Sequence, residues 1–439
     1  MSKKRREDGI KIVEVRVRNF RCLHSVNLTL DGLTVLIGEN NSGKTSFLEA
    51  LFAAIGAGRR VITAEDVFLA PAENTVPKRR TVVVDLLVRP ADSSGKVIAN
   101  FPEGSYWLSL WGNGVAQDDE DRDFVAFHTQ MRWDATRGEY ITERKFLKDW
   151  PVDPLKWEDA KVNESAGSVS AAVIEPLALY FMDAKRDIQD EMQSRTSFWH
   201  RLISDLGLSE KEIEALEKQL TKLNEDIIGA SDVLRHVRDN LDDLYEAVNS
   251  PKGSVSITPT ARTLRDLSKG MDVSFATQGA QTFPLIRHGM GTRSVAALLT
   301  FRAYTTWRQM QAKGDAVHPM LALEEPEAHL HPQAQRALFH LIQRIPGQRI
   351  VSTHSPYIAA EAHISQFRVF RKVGPETTVK EMDTKSLGAE DIRKINRRVL
   401  DTRGDLLYAR ALVLCSGETV RAGEKLDQEA PRERRPLAE

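Results

Sequence analysis

The sequence predicts an α/β fold of the P-loop kind, with a mixed β-sheet, a β-rich lobe and an inserted helical hairpin. Three observations carry that prediction. Residues 38–45 read Gly-Glu-Asn-Asn-Ser-Gly-Lys-Thr, set between an apolar run and a helical pattern. Residues from about 80 to 150 carry several short runs that read as strands. A second apolar run, Pro319 to Leu323, ends in the acidic pair Glu324-Glu325.

The elements follow in order. Lys11 to Val17 alternates apolar and polar residues, and Val26 to Leu30 alternates again, which predicts a hairpin of half-buried strands. Asp31-Gly32 is the turn into Leu33-Thr34-Val35-Leu36-Ile37, a buried strand. Ser46 to Phe52 has helical spacing, so Gly38 to Thr45 is the loop between strand and helix. Strands are predicted at Thr81 to Val88, Ser105 to Trp111 and Asp123 to Trp133. Glu139 to Lys148 is expected to pair with the last of these across Ala135 to Gly138.

From Ser209 the period changes. Ile213, Leu216, Leu220, Leu223 and Ile227 step by three and four. After Gly229-Ala230-Ser231, so do Leu234, Val237, Leu241, Leu244 and Val248. Two amphipathic helices follow, either packed on their own domain or paired with a second subunit. Arg421 to Glu439 is poor in apolar residues and is expected to be disordered.

Composition bounds the function. The chain has 439 residues, 41% apolar and 28% charged, with net charge -1. That is the profile of a globular protein with two or three domains and no global basic field for nucleic acid. The basic start, Ser2 to Arg6, reads as a solvated tail. Two cysteines, Cys22 and Cys415, give no disulfide framework and suit a reducing, cytoplasmic setting. No apolar run reaches the length of a membrane span.

The motifs carry the chemistry. Glycines let the loop backbone approach phosphate closely. The candidate nucleotide-binding residues are Gly38, Asn40, Asn41, Ser42, Gly43, Lys44, Thr45 and Ser46. Lys44 is expected to reach the β- and γ-phosphates, and the Thr45 hydroxyl to hold Mg²⁺. Glu324, at the tip of the second apolar strand, is the other expected metal ligand. Glu325 is expected to orient or deprotonate the attacking water. Arg349 to Ser352 predicts one more strand, ending in Thr353-His354-Ser355-Pro356. His354 could hydrogen-bond the γ-phosphate and the attacking water, or be a surface histidine satisfied locally. His329 and His331 lie two apart with no third ligand nearby, which disfavours zinc.

Together, Gly38 to Thr45, Glu324 to Pro332 and Ser352 to Pro356 resemble the ABC-type ATPases of the SMC/RecF class. Within that class the chain is similar to the overcoming-lysogenization-defect (OLD) nucleases and related phage-defence ATPases. Val17-Arg18-Asn19-Phe20-Arg21 matches the element that precedes the P-loop there. The resemblance covers residues 11–70 and 280–375.

It implies an ABC-type fold that binds ATP and Mg²⁺, with Lys44, Glu325 and His354 catalytic and His354 as the switch histidine. It also implies a homodimer or higher oligomer, in which a signature loop caps the nucleotide of the neighbouring subunit. Gly289, Gly291, Arg293 and Ser294 occupy that place, with Gly-Met-Gly where Ser-Gly-Gly is usual. The glutamine loop is not identifiable, although Glu65-Asp66 lies in its neighbourhood.

The implied organisation has five parts. Residues 1–185 hold the P-loop and the β-rich lobe, and 186–252 form a helical dimerisation insert. Residues 253–400 complete the ATPase. Residues 401–420 resemble the first strand of a Toprim nuclease domain, and 421–439 are a tail. The implied role is DNA-linked, in phage defence or DNA repair. The Toprim resemblance breaks down in detail: Ser416 stands where a metal-binding glutamate is expected, and Val420 where a second acid is expected. Intrinsic endonuclease activity is therefore disfavoured. The alternative expectation is an ATP sensor that holds or activates an effector nuclease in trans.

Overall fold

In the computed structural model the described residues are 9–56, 62–183, 207–235, 260–261, 263–264, 274–275, 283–284, 287–311, 316–381, 384 and 386–395. The basic start, most of the second heptad segment, the Toprim-like strand and the tail lie outside them.

The alternating N-terminal segment forms strands β1 (Gly9–Phe20) and β2 (Leu23–Thr29), paired antiparallel with Val15 opposite Leu28 and Val17 opposite Val26. The apolar run forms β3 (Leu33–Gly38), buried from Leu33 to Ile37. The helix after the P-loop is α1 (Lys44–Ile55). β4 (Val82–Ala91) pairs antiparallel with β1.

Ser105 to Trp111 is a helix, α2 (Tyr106–Trp111), where the sequence predicts a strand. The apolar run does not alternate cleanly, and Trp107 and Trp111 are four apart and share one helical face. The local caps decide the outcome. The Ser105 side chain accepts from the Trp107 N–H, and the Gly112 N–H closes the other end onto the Leu108 carbonyl. Both tryptophans are buried, 5.0 Å apart by ring centroid.

β5 (Val115–Gln117), β6 (Asp123–Asp134) and β7 (Glu139–Leu147) complete the lobe. The predicted β6–β7 hairpin is present, with Gly138 in the left-handed region at φ 67°. The lobe's sheet has the order β2-β1-β4-β6-β5, with β7 also on β6, and all its pairings are antiparallel.

Next come α3 (Ala171–Ile174), β8 (Leu179–Met182), α4 (Glu210–Ala230), β9 (Ser274–Phe275), β10 (Phe283–Pro284) and α5 (Met290–Gln311). β11 (Met320–Glu324), α6 (Pro332–Gln343), β12 (Gln348–Ser352) and α7 (Pro356–Glu361) follow. The described chain closes with β13 (Phe367–Val373), β14 (Glu376–Glu381) and α8 (Ala389–Ile395).

The second sheet has the order β14-β13-β3-β12-β11-β8 and is parallel except for β14. Helix α1 lies between the two sheets. Its Phe47, Leu48 and Leu51 share one core with Val15 and Val84 of the lobe and with Leu36, Ala322 and Ile350 of the parallel sheet. On the other face of that sheet, Val35, Ile37, Leu323 and Val351 meet Phe301 of α5, Phe339 of α6 and Ile358 of α7. Burial on both faces explains why β3 and β11 read as continuous apolar runs.

Gln348 ties the sheets together. Its side chain exchanges hydrogen bonds with the Ile12 backbone, at 2.7 and 2.9 Å, and accepts from His318 Nε2 at 2.9 Å.

Of the heptad stripe, Leu220 of α4 is buried, together with Asn224 and Ile228. Asn224 bonds Thr260 and Ala261 of its own chain. Ile213, Leu216 and Leu223 remain exposed. The helix therefore packs on its own subunit along one face. Among the described residues, no helix is long and apolar enough to cross a membrane.

Candidate functional site

Parallel strands bring distant loops together at their carboxyl ends, the usual ligand side of such a sheet. β3, β12 and β11 are adjacent, in a register that pairs Leu36 with Ser352 and Ser352 with Glu324. Their ends open on a cavity of about 930 Å³. It is lined by Asn40 to Ser46, by Glu324 and Glu325, and by Ser352 and His354. Arg21, Cys22, Thr63, Glu65 and Asp66 close its other side.

The loop has the conformation that its glycines allow. Asn41 and Gly43 are left-handed, at φ 63° and 104°. A Cβ on Gly43 would meet Thr377 Oγ1 at 2.8 Å and Leu23 Cδ2 at 2.9 Å. Thr377 in turn donates to the Ser42 carbonyl at 2.9 Å, so β14 holds the loop from behind. Gly43 caps α1, whose first turn carries Lys44, Thr45 and Ser46. Lys44 Nζ donates to the carbonyls of Gly38 and Glu39, at 2.9 Å each. Burial pulls its pKa below the ordinary lysine value, against the opposing pull of the Glu325, Glu324 and Glu327 carboxylates. The Ser42 hydroxyl is buried inside the loop and has no hydrogen-bond partner among the described residues.

Opposite the loop, the Thr45 hydroxyl donates to Glu324 Oε1. Burial raises the Glu324 pKa, and the neighbouring carboxylates of Glu325, Glu49 and Asp183 add to the rise. Glu325 sits at φ 43°, a left-handed position uncommon for glutamate, and its N–H donates to the Ser352 carbonyl at 2.9 Å. Its Oε1 lies 3.8 Å from His354 Nε2. The imidazole pKa is lowered by desolvation and by Lys44, against the opposing pull of Glu325.

The residues fit a magnesium nucleotide. A hydroxyl and a carboxylate form an oxygen pair of the kind Mg²⁺ takes alongside substrate phosphates. Among the described residues there is no group of three or more His, Cys, Asp or Glu arranged to hold a metal ion.

Gly289, Gly291, Arg293 and Ser294 do not line this cavity. Helix α5 begins at Met290, so three of the four lie within its first turns. Gly289 is exposed, whereas Ser294 faces inward with Ala297, Leu298 and Phe301, and its hydroxyl is buried. A Cβ on Gly291 would meet Leu330 Cδ2 at 2.8 Å and the His329 carbonyl at 3.1 Å.

Two groups carry no role assigned from sequence: Arg21 on the cavity wall, and Glu327 outside the lining but bonded to the His354 segment. Arg21 pairs with Glu49 at 2.7 Å and Asp66 at 3.0 Å, fastening the turn after β1 to α1 and to the 63–66 segment. Glu327 accepts from Thr353 Oγ1 and from the N–H groups of His354 and Ser355. Both lie in segments whose motifs are visible, but their partners are set by tertiary structure.

The chain belongs to the family described as "Protein of unknown function (DUF2813)", which matches residues 11–404. It is 23% identical to an OLD nuclease from Thermus scotoductus over 92% of this chain and 71% of that protein. It is 24% identical to the DNA replication and repair protein RecF of Brucella suis, over 79% of this chain and 91% of that one. The head domain of Smc from Pyrococcus furiosus, solved with the C-terminal domain of ScpA, matches 89% of this chain and all of its own at 14% identity and TM-score 0.46. The resemblance to OLD nucleases and RecF read from the motifs is borne out by these two relatives.

Proposed function

We propose that this member of the DUF2813 family is a Mg²⁺-dependent ATPase acting in DNA processing. The carrying observation is that Lys44, Thr45, Glu324, Glu325 and His354, from three neighbouring strand ends, face one cavity.

In this reading the loop N–H groups and the α1 N-terminus receive the phosphates. Lys44 leaves its contacts on Gly38 and Glu39 for the β/γ oxygens, offsetting charge that grows as the bond to the γ-phosphate breaks. Thr45 and Glu324 would hold Mg²⁺, which supplies counter-charge to the phosphate oxygens when bound. Glu325 accepts the proton of the attacking water. His354 beside it offers Nε2 to hold the water or the γ-phosphate.

The exposed glycine end of α5 points to use by a second subunit, in a head-to-tail dimer with ATP between the two copies. The segment 186–252 is proposed to assist dimerisation. The DNA link is supported by the relatives, an OLD nuclease and RecF.

The test is Glu325→Gln in the full chain. Hydrolysis is expected to fall by at least ~100-fold while ATP affinity stays within about threefold. Undiminished turnover sinks the assignment. DNA-stimulated turnover of the wild-type protein supports the DNA link, and turnover indifferent to DNA removes it.

A further inference from the structure

Glu327 has no part in the chemistry described above, yet it is bound more elaborately than a solvated loop carboxylate. Oε1 alone accepts three hydrogen bonds: from Thr353 Oγ1 at 2.8 Å, the His354 N–H at 2.7 Å and the Ser355 N–H at 3.0 Å. Oε2 is buried and has no hydrogen-bond partner among the described residues. Leaving a carboxylate oxygen desolvated is costly, and burial raises the Glu327 pKa accordingly. That cost is offset only by what the other oxygen holds.

What it holds is the segment that carries His354. The Thr353 N–H is fixed to the Leu36 carbonyl of β3 at 3.1 Å, which anchors one end. Ser355 caps α7 by accepting from the Tyr357 and Ile358 N–H groups, which anchors the other. The Ser355 hydroxyl also donates to Gln335 Oε1 of α6, and Gln335 Nε2 donates to the Leu330 carbonyl at 2.8 Å. Between these anchors Glu327 is the group that grips the His354 backbone itself. Glu325, two residues earlier, faces the His354 ring at 3.8 Å. One short turn, closed by the Ala328 N–H on the Glu325 carbonyl at 3.0 Å, therefore carries both the group facing the imidazole and the group holding its backbone.

We propose that Glu327 is a positioning residue that sets where the His354 imidazole stands relative to Glu325 and the phosphate cavity. This rests on the hydrolytic reading of the site for its consequence, but not for its geometry. Glutamine in place of Glu327 can still accept with its carbonyl oxygen; alanine cannot. Displacing a reacting group by about 1 Å costs on the order of 100-fold in rate.

The experiment compares wild type, Glu327→Gln and Glu327→Ala in the full chain, by steady-state ATP hydrolysis, fluorescent-ATP binding, thermal melting and the NMR signal of the His354 ring. Glu327→Ala is expected to lower kcat by about 10- to 100-fold, to leave KM within about threefold, and to shift or broaden the His354 signal. Glu327→Gln is expected to restore most of kcat and the wild-type ring signal. A His354 signal unmoved in Glu327→Ala overturns the proposal, as does an alanine variant as active as wild type. If Glu327→Ala melts before it can be assayed, Glu327→Gln against Glu327→Met makes the same comparison. If the wild type does not hydrolyse ATP, the functional reading fails, and the ring signal alone decides whether Glu327 positions His354.

Discussion

The Thr45 hydroxyl donates to Oε1 of Glu324, a residue 279 positions further along the chain. The contact exists because β3 and β11 flank β12 in parallel register, so the first turn of α1 faces the tip of β11. A hydroxyl beside a carboxylate whose charge burial disfavours is poised for a cation, since a divalent charge would stabilise that carboxylate.

Glu324→Gln should therefore separate metal-dependent from metal-independent binding. ATP affinity in excess Mg²⁺ is expected to drop by about tenfold, roughly 1.4 kcal/mol, with affinity in EDTA unchanged within about twofold. Calorimetry under both conditions checks this. An equal loss in both would mean that Glu324 serves the loop rather than the metal.

Gly43→Ala should damage both fold and site. The residue sits at φ 104°, and the new Cβ would press on Thr377, Leu23 and Cys22. A cost of about 1–3 kcal/mol in unfolding free energy is expected, with loss of measurable ATP binding. Urea titration and fluorescent-ATP binding would show it. A variant that binds ATP normally would mean that the loop conformation described here is not the binding one.

Much of this site was legible in the sequence, and the reasons are physical. Leu33 to Ile37 and Met320 to Leu323 read as strands because a parallel sheet covered on both faces needs unbroken apolar runs. The acids at the tip of β11 were visible because they end such a run. Glu327 was in view in the same segment, but its partners are mostly backbone N–H groups 26 to 28 residues away, which side-chain identity does not encode. Ser294 is expected, from the resemblance alone, in a signature-like loop acting on a neighbouring subunit. Helix α5, starting at Met290, places it on the face of Ala297, Leu298 and Phe301, a burial that the loop pattern does not encode. At Ser105 to Trp111 the sequence predicts a strand, and the caps at Ser105 and Gly112 make it a helix instead.

Those caps give a direct check. Ser105→Ala removes the acceptor for the Trp107 N–H and is expected to cost about 1 kcal/mol. Ser105→Thr, which keeps a neutral hydroxyl acceptor, should cost less. Chemical denaturation followed by tryptophan fluorescence reads both, since Trp107 and Trp111 stack in the core that α2 enters. Equal effects of the two substitutions would assign the loss to packing of the buried serine rather than to capping.

The last prediction concerns pH. His318 donates from Nε2 to Gln348 Oε1, the same oxygen that accepts from the Ile12 N–H, at the joint between the two sheets. Desolvation, helped by Arg349, lowers its pKa from 6.5 to about 4. The unfolded chain therefore takes up this proton first as pH falls. Between pH 6.5 and 4 it binds more protons than the folded chain, and stability must fall with pH across that window. Above the window this group contributes no slope. The fully developed loss approaches ~3 kcal/mol by the pKa difference, as an upper bound. Carboxylates titrate in the lower part of the same range, so the informative quantity is a difference between variants. His318→Gln keeps an N–H donor toward Gln348 and cannot take the proton. Its urea midpoint should fall less than the wild type's between pH 7 and 4.5. Parallel midpoints for the two proteins would show that His318 is not held neutral at the joint.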